Sequence, residues 1–142
     1  MGTGQMMLVL FAMILFSSIM IGTMNNMFDL STISYEAMIQ MQGQRIIDRY
    51  YQEIDSAILS GKLKFSEINS YDNLTEEFKI NGIIYHVNIN TNYTCRRGHI
   101  NHYDPDYQRV DLFVWCKGVR QNTIKIGTKD DPISRMYAKM GF

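Results

Sequence analysis

A chain of 142 residues and 16.6 kDa amounts to one domain. Its 14 basic and 14 acidic residues cancel to zero formal charge, so no polyanion-binding signature stands out and nucleic acid is not an expected partner. No internal repeat or low-complexity tract is present, and roughly 110 residues beyond the first apolar run suffice for one modest core.

The first element is the run MMLVLFAMILFSSIMIGTMNNM at residues 6–27. Residues 1–28 hold no Asp, Glu, Lys or Arg, and Asp29 is the first charged side chain. A helix from Gly4 to Met24 rises about 32 Å, close to the hydrocarbon thickness of a bilayer. Residues 1–28 are therefore read as a transmembrane or filament-core helix. A secretory signal peptide is the competing reading, but that class has a basic leading region and MGTGQ supplies no positive charge. The positive-inside rule asks for Lys or Arg in the cytoplasmic flank, whereas the first Arg is Arg45. Either a short basic leader has been removed to leave Met1 as a new terminus, or Met1 is the initiator.

Residues 29–60 read as an amphipathic continuation of the same helix. Ile47, Tyr50, Tyr51, Ile54 and Ile58 recur at helical spacing on one side. No proline interrupts residues 1–104, and Gly61 is the expected stop. Gly22, Asn25, Asn26 and Gly43 are the weak points, with a kink or local melting expected around Gly22 to Asn26. The greasy stripe requires a globular partner, expected in residues 61–142.

In that third segment IIYHVNINTNY alternates with period two, setting Ile83, Tyr85, Val87, Ile89, Thr91 and Tyr93 against Ile84, His86, Asn88, Asn90 and Asn92. RVDLFVWC repeats the pattern with Val110, Leu112, Val114 and Cys116, and NTIKIGT adds Ile124 and Ile126. The expected fold is α+β: a long N-terminal helix, a small antiparallel sheet packed on its amphipathic half, and a short C-terminal helix. That last helix is read from DDPISRMYAKMGF, capped by Asp131 with Pro132 in its first turn and Ile133, Met136, Tyr137 and Met140 on one face.

The turn signal Asp104-Pro105-Asp106 lies between the first two of these strands. A hairpin tip between Pro105 and Asp106 makes opposed residue numbers sum to 211, as Cys95 and Cys116 do. The arithmetic supports a Cys95–Cys116 disulfide in an extracytoplasmic domain; the alternative is two buried free thiols.

Other features carry less. His99 and His102 with Asp104, Asp106 and Asp111 are candidate metal ligands, but neither a dense carboxylate motif nor zinc spacing is present, so a polar loop is preferred and no metal or other cofactor is expected. Asn73-Leu74-Thr75 and Asn92-Tyr93-Thr94 match the glycosylation sequon, a pattern frequent by chance. Among the nine tyrosines, Tyr50, Tyr51, Tyr85 and Tyr93 fit the helix stripe and strand alternation as core residues. No nucleophile–base pair or glycine-rich phosphate loop stands out, so no catalytic residue is assigned and the chain is not expected to be an enzyme.

A charge-free helix continuing into an amphipathic half, followed by HVNINTNY, DPDYQRVDLFVWC and NTIKI in a small sheet, resembles the type IV pilins and pseudopilins. The resemblance covers the whole chain in architecture, and the order of the elements carries it. It implies a structural subunit that rests in the cytoplasmic membrane of a bacterium or archaeon, and is then polymerised by an assembly machine into an extracellular or periplasm-spanning helical filament with its C-terminal domain exposed. It also implies leader cleavage before Met1 and methylation there. Family members usually begin with Phe and carry Glu at the fifth residue, where this chain has Met1 and Gln5. Gln5 can hydrogen-bond but forms no ion pair with a neighbour's terminal amine, which favours a divergent lineage or an initiating or minor subunit. Met6, Leu8, Leu10, Phe11, Ile14 and Phe16 are the expected packing residues between subunits, and the seven methionines in residues 1–27 suit a surface that adapts to lipid and protein alike. Residues 29–60 sum to −3 and residues 61–142 to +3, a placement that would set acidic helix flanks against basic sheet domains in a staggered polymer. The alternative function is a single-pass anchored binding or sensory domain with HINHYDPDY as its ligand loop.

Overall fold

The computed structural model describes residues 2–100, 104–118 and 121–139. Residues Met1–Ala37 and Met38–Phe142 form two compact units, each taken by itself below. The elements in order are one α-helix, α1 (Thr3–Leu59), a 3-10 helix (Phe65–Tyr71), and five strands: β1 (Leu74–Ile80), β2 (Ile83–Tyr93), β3 (Tyr107–Lys117), β4 (Thr123–Ile126) and β5 (Ile133–Ala138).

The first unit is α1 up to Ala37. It stays helical through Gly22, Asn25 and Asn26, where a kink or melting was expected. Three of its hydroxyl residues fold their polarity back on the helix: Ser18 Oγ donates to the Leu15 carbonyl, Thr23 Oγ1 to the Met20 carbonyl and Thr32 Oγ1 to the Phe28 carbonyl, all at 2.9 Å. Such back-bonding removes hydroxyl donors that an apolar surrounding could not satisfy.

The second unit starts in the amphipathic part of α1, which buries Ile39, Gly43, Ile46, Ile47, Tyr50, Tyr51 and Ile54. The helix stops at Gly61, whose φ of 70° is the left-handed conformation glycine adopts without strain, and the Leu63 amide caps the Ala57 carbonyl at 3.0 Å. Gly43 faces β4 closely. A Cβ built there would lie 1.9 Å from Ile126 Cδ1, so any side chain at position 43 requires the end of Ile126 to turn aside.

The sheet is antiparallel, in the order β1-β2-β3-β4 with β5 also paired to β3. β1 and β2 are joined by Asn81-Gly82 with φ of 50° and 83°, the two-residue turn with both central residues left-handed. The alternating faces of β2 and β3 lie as the sequence pattern predicts. Tyr85, Val87, Ile89 and Thr91 are buried with Val110, Leu112, Val114 and Cys116, and with the helix stripe, Ile68 and Ile124 they make one core.

Two expectations are corrected. The tail forms no C-terminal helix: Ile133–Ala138 is strand β5, pairing Ile133 with Leu112 and Ala138 with Tyr107. Ile133 and Tyr137 are four residues apart, which suits one face of a helix and one face of a strand alike. The first half of β3 would have an open edge without β5, and its unpaired amides and carbonyls decide for the strand. Met140 lies outside the described residues.

The Cys95–Cys116 disulfide is corrected as well, since both are free thiols. The β2–β3 ladder pairs Tyr85 with Cys116 and Tyr93 with Gln108, so opposed numbers sum to 201 and not 211. Cys95 lies beyond the end of β2, and the eight residue steps from Tyr85 to Tyr93 alone span about 26 Å of strand, far past the Cα separation a bridge tolerates. The Asp104-Pro105-Asp106 turn exists, with the Asp106 amide donating to Asp104 Oδ1 at 3.0 Å, but it leads into β3 and is not the hairpin tip.

Candidate functional site

The segment from Thr3 to Phe28 is a helix without charged side chains and without a covering layer. Met6, Leu8, Leu10, Phe11, Ile14 and Phe16 are each 55–70% exposed, and Gln5 is exposed beside them. Met1, the expected processing position, lies outside the described residues. Leaving those six apolar side chains in water forgoes on the order of 10 kcal/mol, at about 1.5–3 kcal/mol for each one fully buried. That is comparable to the whole stability of a small domain. A bare surface of this kind calls for lipid or for other apolar helices, and α1 is long and apolar enough to cross a membrane.

In the second unit, polar contacts fasten the helix to the sheet at β5. Tyr51 sits under the strand pair, its hydroxyl 2.6 Å from the Ile133 carbonyl and 3.1 Å from that of Val110. The Arg135 guanidinium lies 4.7 Å above the Tyr51 ring and pairs with Asp55, which also accepts the Tyr137 hydroxyl at 3.0 Å. Tyr50 donates to Glu76 and meets Phe78 edge-on, while the Tyr85 hydroxyl reaches Gln42 at 2.7 Å. Burial first, and in Tyr50 and Tyr137 the neighbouring carboxylate next, push the phenols of Tyr50, Tyr51 and Tyr137 well above their ordinary range. An open cleft of about 790 Å³ lies beside this clasp, floored by Ile58, Leu63, Phe65 and Met136.

The two thiols live in opposite environments. Backbone amides of Arg97 and His99 directed at Cys95 lower its pKa, whereas burial raises that of Cys116. The candidate metal ligands of the loop do not converge among the described residues. Asp111 is held by Arg109, with Nη2 2.7 Å from Oδ2, and by Ser134 Oγ at 2.6 Å from Oδ1, while Asp104 serves its own turn. Among the described residues no group of three or more His, Cys, Asp or Glu side chains could hold a metal ion, and His102 is outside them.

The outer face of the sheet carries a constellation that the sequence reading did not single out. His86 and Trp115 stack at 3.9 Å near one end of the strands. Toward the other end Asn90 stands beside Asp111 and Asn92 beside Arg109, above a cavity of about 400 Å³ that Asp72, Phe113 and Lys129 also line. Period-two alternation puts Asn88, Asn90 and Asn92 on this face, whereas Asp72 comes to it from the residues just before β1 and Asp130 from the β4–β5 connection, neither of which carries a periodic signal. Of the two sequons, Asn73 donates its side-chain amide to Asp72 at 2.7 Å and Asn92 stands on β2.

Comparison with family models, with curated proteins and with solved structures finds no match to this chain.

Proposed function

We propose that the chain is a pilin-like structural subunit that polymerises through its N-terminal helix into a helical filament. The observation that carries the reading is the uncovered, charge-free run of α1, which continues within one helix into the stripe packed under the sheet. On this reading the monomer waits with that run in a membrane, and assembly transfers it into a bundle of like helices. Lipid and helix bundle are about equally apolar, so the transfer itself yields little free energy and an assembly machine must drive it. Met6, Leu8, Leu10, Phe11, Ile14 and Phe16 then pack between copies, Gln5 offers hydrogen bonds but no ion pair, and the sheet domain faces outward. The subunit acts as a structural part and performs no catalysis.

Electron microscopy of material sheared from producing cells, with intact mass on the same material, tests this. Thin uniform filaments containing this chain are expected, and Leu10→Lys, which sets a charge among packed helices, should abolish them. A chain that remains in the membrane fraction, with no filament containing it, overturns the polymer and leaves a single-pass anchored domain.

A further inference from the structure

We infer that the outer face of the sheet, at the β2–β3–β5 end, is a binding site for a neutral pyranose sugar. Asn90 and Asn92 are successive outward residues of β2, about 7 Å apart along the strand, and neither carboxamide has a hydrogen-bond partner among the described residues. Each carboxamide both donates and accepts, the pairing that vicinal hydroxyls require. Phe113, half-buried on the same cavity wall, offers an apolar ring against which the C–H face of a sugar can lie.

The charged groups around the cavity select against an ion. Asp111 is 5% exposed and both its oxygens are engaged, by Arg109 and by Ser134. Asp72 accepts the Thr91 amide at 2.9 Å through one oxygen and the Asn73 amide through the other. That leaves Asp130 and Lys129, adjacent and opposite in sign, so the wall has no surplus of cations for an anionic ligand and only one uncommitted carboxylate for a metal. A cavity of about 400 Å³ holds a group the size of one sugar ring, and a few fixed polar groups beside an apolar wall are what small-molecule sites use. Every residue in the site belongs to the second unit.

Saturation-transfer NMR of the full chain in lauryldimethylamine oxide, a detergent without a sugar headgroup, tests the inference with glucose, galactose, mannose and N-acetylglucosamine as probes. At least one should receive saturation, and the Asn90→Ala/Asn92→Ala pair should weaken its binding about tenfold or more, as expected for the loss of two or more hydrogen bonds. Lys125→Ala, on the same face but at the Trp115 end, should leave binding unchanged. If the double variant does not fold, Asn92→Ala near the end of β2 takes its place, with a weakening of about fivefold expected. No saturation of any of the four sugars, or equal saturation in the wild type and the asparagine variants, overturns the assignment.

Discussion

Tyr51 of the helix places its hydroxyl 2.6 Å from the main-chain carbonyl of Ile133, so a side chain of α1 holds the backbone of β5 directly. The phenol also lies 3.1 Å from the Val110 carbonyl, which makes one donor the bolt between helix, β3 and β5. Tyr51→Phe keeps the ring under Arg135 and deletes only this bond. It should destabilise the second unit by about 1–2 kcal/mol, measured by chemical denaturation followed by near-ultraviolet circular dichroism. A change indistinguishable from zero would mean that the clasp is held by the ring and not the hydroxyl.

The same clasp predicts how stability depends on pH. Tyr50, Tyr51 and Tyr137 are held in the neutral form, with pKa values raised in the folded state above the unfolded value of about 10. A group whose folded pKa is raised contributes fully below its unfolded pKa, and that contribution is lost as pH climbs toward the folded value. Denaturation midpoints should therefore begin to fall above about pH 10. Absorbance at the phenolate band should show these three tyrosines ionising last, together with unfolding.

The thiols give a third test. Cys95 is partly exposed with its pKa lowered, while Cys116 is buried with its pKa raised. Iodoacetamide near neutral pH should label Cys95 in the folded chain and reach Cys116 only after denaturant is added, as peptide mass mapping would show. Reduction should not change the mass of the native monomer. A mass two units lower before reduction would restore the intrachain bridge and disprove the register of β2 on β3.

Why some of this was legible in the sequence and some was not is a matter of which signals are local. The helix stripe Ile47, Tyr50, Tyr51 and Ile54 and the alternating faces of β2 and β3 follow from periodicity, and each buries the face its pattern implies. The β2–β3 register depends on how many residues the connecting loop consumes, and no periodic signal records that number. The tail was ambiguous because a four-residue spacing satisfies both helix and strand, and pairing with a distant edge decided it. The β1–β2 hairpin is a different kind of miss. Asn81-Gly82 between Phe78-Lys79-Ile80 and Ile83-Ile84-Tyr85 is a strong local signal for a tight hairpin, and recognising it would have exposed β1 and the Asp72 wall of the outer cavity.

Gln108 has the least comfortable place in the core. It is fully buried on the helix side of β3, and neither atom of its carboxamide finds a hydrogen-bond partner among the described residues. An unsatisfied buried amide forfeits its hydration with nothing in return, whereas a thioether of similar length does not. Gln108→Met should stabilise the second unit by about 1–3 kcal/mol. Thermal unfolding at a higher temperature is the expected outcome; a lower one would show that the carboxamide is satisfied in solution.

Gly43 and Ile126 separate two effects that usually oppose each other at a helix glycine. Alanine is the better helix former by about 1 kcal/mol, but its Cβ would collide with Ile126 Cδ1. That atom is the end of a half-buried side chain, which can turn aside at a cost of similar size. Gly43→Ala should therefore change stability by less than about 1 kcal/mol. Gly43→Leu has no such escape, because Val114 stands behind Ile126 at 3.7 Å from the same point, and it should cost about 2–3 kcal/mol through overpacking. Urea midpoints of the two variants decide it. If alanine costs as much as leucine, the helix cannot yield at β4, and close approach rather than side-chain volume sets the requirement for glycine.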